Sequence, residues 1–84
     1  MMTPRQAFNT RYNGQKYAGV VRYGSAGQYF YALSEETGYY GEPLYGVTVI
    51  YKDDVFAYTM KNGCFYSLAD AEEYIKEMRK ERKL

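Results

Sequence analysis

From Ser67 onward, apolar residues fall at Leu68, Ala71, Ile75 and Met78, three and four apart, with charged residues between them. That spacing predicts an amphipathic helix over about 68–81, with one stripe turned toward a core. Ser67 stands where an N-cap is needed and Asp70 three residues on. Asp70, Glu72 and Glu73 crowd the first half, and Arg79, Lys80, Arg82 and Lys83 the end, an order that complements the helix dipole. A shorter helix is expected over about 4–12. There Thr3 and Gln6 form a T-x-x-Q capping box, Pro4 suits the first turn, Phe8 and Tyr12 share a face, and Asn13-Gly14 supplies a stop.

Between the helices the apolar period shortens to two. Runs over about 16–23 and 28–33, joined by Gly24-Ser25-Ala26-Gly27, read as a hairpin that pairs Tyr23 with Gln28. One of its faces carries Tyr17, Val21 and Phe30; the other carries Val20, Arg22, Tyr29, Tyr31 and Leu33. Neither is cleanly polar, so both sides are expected to be at least partly covered. Runs over about 47–52 and 55–60 flank Asp53-Asp54 as a second hairpin. Val47, Val49, Tyr51, Phe56, Tyr58 and Met60 share its core face; Thr48, Ile50, Lys52, Val55, Ala57 and Thr59 form the other. Lys61-Asn62-Gly63 is a turn signal, and Cys64-Phe65-Tyr66 reads as a short edge strand or an extended approach to the last helix.

The expected fold class is α+β: a small single domain over 1–84, with a four-stranded antiparallel sheet of two hairpins and the N-terminal and C-terminal helices packed on one face. A chain of 84 residues supports one domain of modest stability. No apolar run is long enough to span a bilayer, the N-terminus lacks a secretory pattern, and Cys64 is the one cysteine. A cytoplasmic protein with no membrane contact is the expectation.

Composition narrows the chemistry. The chain has twelve tyrosines, no histidine and no tryptophan, so it is rich in contact area and poor in acid–base groups. Cys64 has no histidine to activate it and reads as a small buried apolar group. Asp53-Asp54 and Glu35-Glu36 are adjacent acids that would not converge on a strand. There is no zinc pattern, calcium loop or phosphate loop. No catalysis, metal or cofactor is expected.

The net charge of +1 hides an uneven distribution. Residues 1–33 carry Arg5, Arg11, Lys16 and Arg22 without an acid, and residues 34–46 carry Glu35, Glu36 and Glu42 without a base. The latter stretch, with Tyr39-Tyr40 between Gly38 and Gly41, reads as a long loop of binding composition, or equally as a loop folded back to cover the sheet with its tyrosines in the core. Tyr39, Tyr40, Glu42 and Tyr45, with Glu35 and Glu36, are the candidate contacts for another protein with a basic surface; a homodimer is the simplest case. Chains of this size and chemistry fit stoichiometric accessory roles, such as phage or mobile-element inhibitors of host nucleic-acid-handling proteins. The alternative is single-stranded nucleic-acid binding by an aromatic and basic sheet face of Lys16, Arg22, Tyr29 and Tyr31. Packing beneath a helix or the long loop is the competing fate of those rings. The basic run at Arg79–Lys83 reads as a solvated helix end. Tyr51 and Tyr58, with Tyr12 and Tyr66, are assigned to the core or its edge.

Overall fold

The computed structural model describes residues 2–11, 19–53 and 62–80. Helix α1 (Pro4–Arg11) is followed by strands β1 (Val20–Ala26), β2 (Tyr29–Thr37), β3 (Pro43–Tyr51) and β4 (Asn62–Phe65), then helix α2 (Leu68–Lys80). The strands form one antiparallel sheet in chain order, with a helix against each face. This is the expected α+β class.

Both helices begin as their sequences dictate. The Thr3 N–H donates to Gln6 Oε1 at 2.9 Å, and the Gln6 N–H donates to Thr3 Oγ1 at 3.2 Å, a reciprocal capping box. At α2 the Asp70 N–H donates to Ser67 Oγ at 3.1 Å. Ala71, Ile75 and Met78 bury the α2 stripe, but Leu68, in the first turn, is exposed.

The helices do not share a face of the sheet. Tyr29, Tyr31 and Leu33 of β2 meet Val47, Val49 and α2, whereas Phe30 and Ala32, turned the other way, meet Ile50 and α1 through Ala7 and Phe8. All six residues from Tyr29 to Ser34 are buried. A strand apolar on both sides needs cover on both, and each helix carries one stripe, so they divide the two faces.

The first hairpin closes with a shorter turn than expected, and its register differs. β1 runs through Gly24 and Ser25 to Ala26, the turn is Gly27-Gln28, and Tyr23 pairs with Ala32 instead of Gln28. The added pairs satisfy backbone groups that a four-residue loop would leave to water. Gly24 opposes Tyr31, whose ring occupies the space where a Cβ would stand. Gly27 takes the left-handed φ of +59° and lies against the backbone of Met78 and Arg79. The slip is an even number of residues, so Arg22 still shares a face with Tyr29, Tyr31 and Leu33. A register shift between Val20 and Arg22 moves Val20 to the α1 face and leaves Val21 exposed.

β3 takes β4 as its outer partner, with Tyr45 opposite Phe65 and Thr48 opposite Asn62. The expected return strand at 55–60, with Tyr58, lies outside the described residues, as do Tyr12, Lys16 and Tyr17. Val47 and Val49 are buried in the α2-side core and Tyr51 packs at its margin, the face assigned to them.

Candidate functional site

The stretch 34–46 is chiefly strand. β2 continues to Thr37 and β3 starts at Pro43, leaving only residues 38–42 as the connection. Glutamate and glycine are depleted in strands, and their abundance gave this segment the look of a loop. Pro43 fits because it is the first residue of its strand. Gly46 fits because Ser34 opposes it and the Ser34 hydroxyl occupies the space above it, donating to the Gly46 carbonyl at 3.4 Å.

The tip is tightly held. The Gly41 N–H donates to the Gly38 carbonyl at 3.0 Å, closing a four-residue turn with Tyr39 and Tyr40 at its centre. The Gly38 N–H donates to the Glu42 carbonyl at 2.7 Å. The Glu42 carboxylate folds under the turn and accepts the Tyr40 N–H at 2.9 Å. Gly38 leaves room for that carboxylate, which a Cβ would strike, and Gly41 adopts a φ of +82°. The two rings stand edge to face, 5.0 Å between centroids and 81° between planes. Tyr39 is 92% exposed and Tyr40 89%. Large rings left in water on so constrained a turn contribute little to the fold.

The other candidates divide. Glu35 and Glu36 are exposed on the β2 half of the stem. Tyr45 is half-buried, opposite Glu35 and Phe65, and packs against the α2-side core, so its role is largely structural. Tyr66, assigned to the core edge, is exposed. So is Cys64, read as a buried apolar group; both stand at the sheet's outer margin, where β4 gives way to α2.

The face proposed for unpaired bases is covered. Tyr29 and Tyr31 are buried beneath α2, and Tyr29 stacks on Tyr51 with 5.2 Å between centroids. Burial pushes the Tyr29 hydroxyl above its ordinary pKa, and the contact with Tyr51 adds to the effect. Arg22 is half-exposed but occupied: its Nε donates to Tyr31 Oη at 3.1 Å, its guanidinium lies 5.5 Å from that ring's centroid, and it forms a salt bridge with Glu72. The hydrogen bond to Glu72 raises the Arg22 pKa further. Fifty residues separate Arg22 from Glu72, so no local pattern announces the pair. It joins α2 to β1 over the Tyr31 ring, one of those a base would need.

A cleft of about 510 Å³ runs beside the stem, lined by Gly19, Val20, Glu35, Glu36, Thr37 and Pro43, among others. Among the described residues, no group of three or more His, Cys, Asp or Glu is placed to hold a metal ion, and no helix is long and apolar enough to cross a membrane. Compared with protein-family models, curated proteins and solved structures, the chain matches none.

Proposed function

We propose that this chain is a non-catalytic, cytoplasmic protein-binding module that acts stoichiometrically, presenting Tyr39 and Tyr40 to another protein. A single observation carries the reading: two nearly fully exposed tyrosine rings stand on a turn held by two backbone hydrogen bonds and a carboxylate. Tyrosine offers contact area with few rotamers to immobilise, and a braced turn loses little further entropy on docking. Exposed Glu35 and Glu36 on the stem favour a partner with a basic surface. An accessory protein that blocks a nucleic-acid-handling protein, of the kind phages and mobile elements carry, fits this surface. The single-strand reading loses ground to it because Tyr29 and Tyr31 lie beneath α2.

The test is affinity capture from lysate of the source cell, with the wild type and a Tyr39→Ala/Tyr40→Ala variant. The expected outcome is a protein retained by the wild type and lost from the variant, with both melting at the same temperature. Equal recovery by the two chains would remove the tip from the contact.

A further inference from the structure

The strand directions gather several features at one end of the sheet. β1 and β3 start there, β2 and β4 finish there, and α2 departs from it. Of the six large hydrophobic side chains exposed among the described residues, Val21, Tyr39, Tyr40, Tyr66 and Leu68 stand at this end, and only Met2 does not. Scattered apolar exposure would not divide so unevenly.

Tyr66 is the informative member. It follows Phe65, which pairs with Tyr45, so it stands beside the stem of the Tyr39–Tyr40 hairpin. Its neighbours are anchored: Phe65 packs on Tyr74 with 5.2 Å between centroids, and Ser67 caps α2. Tyr66 is nevertheless 75% exposed, so it is a mounted ring with no role in the core. Among the described residues, the exposed acids Glu35, Glu36 and Asp70 stand at this end, while Arg22 is held by Glu72 and Tyr31.

We infer that the whole end is one docking surface, with Tyr66 as a second anchor beside the tip. Its occupant is a protein whose patch is apolar at the centre and cationic at the rim. The inference rests on the tip reading and extends it. Aromatic centres with a charged rim are how protein interfaces are built. The same acids repel an anionic leaflet or a phosphate backbone. They would also face one another in a two-fold dimer through this end.

Photocrosslinking in cells that express the chain tests it, with p-benzoylphenylalanine placed at Tyr39, at Tyr66 or at Lys52. Lys52 stands at the opposite end, where its N–H donates to the Gln28 carbonyl at the β1–β2 turn. The expected result is the same protein attached at positions 39 and 66 and none at 52. Its capture on immobilised chain should fall roughly tenfold or more between low and high salt, as close opposite charges require. Tyr66→Ser, with unchanged melting, should weaken capture by about tenfold, the loss typical of an interface anchor. Attachment at 39 without 66 overturns the two-anchor surface and leaves the tip reading standing; attachment at neither removes both. A second copy of this chain as the adduct, or capture indifferent to salt, overturns the assigned partner chemistry.

Discussion

Gly41 holds a φ of +82° with no atom near enough to obstruct a side chain. Replacement by alanine therefore meets no clash, only the backbone strain of a left-handed L-residue. Gly41→Ala should cost about 1 kcal/mol, or about 4–8 °C in melting temperature for a chain of this size. A thermal melt checks it, and an unchanged Tm would mean that the turn relaxes freely. Gly24 is constrained differently, since the Tyr31 ring fills the space above it. Single residues thus make this hairpin system possible, by what they lack as much as by what they touch. None of this needs a long loop: Glu42, counted first as a charge for a partner, also braces the turn through the Tyr40 N–H.

Among the elements, α2 depends most plainly on its own sequence. Ser67 caps it and Asp70 opens it, and its buried residues fall where the period of 3.6 requires. Ser67→Ala should destabilise the chain by about 1 kcal/mol, and Ser67→Asp should restore most of the loss, because either side chain can accept the Asp70 N–H. Denaturant midpoints of the three chains are the check; an alanine chain as stable as the wild type would remove the cap from the account. The strands were less legible. Glycine and serine at 24–25 and glutamate and glycine across 34–46 are poor strand formers, yet Gly24, Ser25, Glu35, Glu36 and Gly46 all sit in ladders. Cross-strand neighbours, which a local reading does not contain, outweighed propensity there.

At the scale of the molecule, tyrosine builds the core as well as the contact surface, and this has a consequence for pH. Burial raises the pKa of Tyr29, with its contact to Tyr51 adding to the shift, and burial raises that of Tyr74. An unfolded tyrosine ionises near pH 10, before these folded ones, so above that value the unfolded chain binds fewer protons. Stability from these groups is therefore fully present below about pH 10 and lost as pH rises through their folded values. Melting temperatures followed by circular dichroism from pH 7 to 11 should hold level with respect to these groups and then fall above about pH 10. A curve flat through pH 11 would exclude buried, shifted tyrosines. The two helices also meet opposite faces, so the sheet is a middle layer, and the α2 side hides the aromatic and basic face that an open sheet would have offered to bases.

The sequence by itself determined the fold class, both helices with their N-caps, the apolar alternation of β3, and the glycines that flank the tyrosine pair at 39–40, whose exposure the fold decided. These follow from short-range periodicity and from backbone demands that only certain residues meet. Tertiary structure alone decided the register of the first hairpin, the conversion of 34–37 and 43–46 into strand, and the division of the helices between two faces. It also decided the Arg22–Glu72 bridge and the placing of Tyr66 at the same end of the sheet as Tyr39 and Tyr40. Each of these depends on pairing between residues distant in the chain, where energy comes from burial and hydrogen bonding that no local window contains.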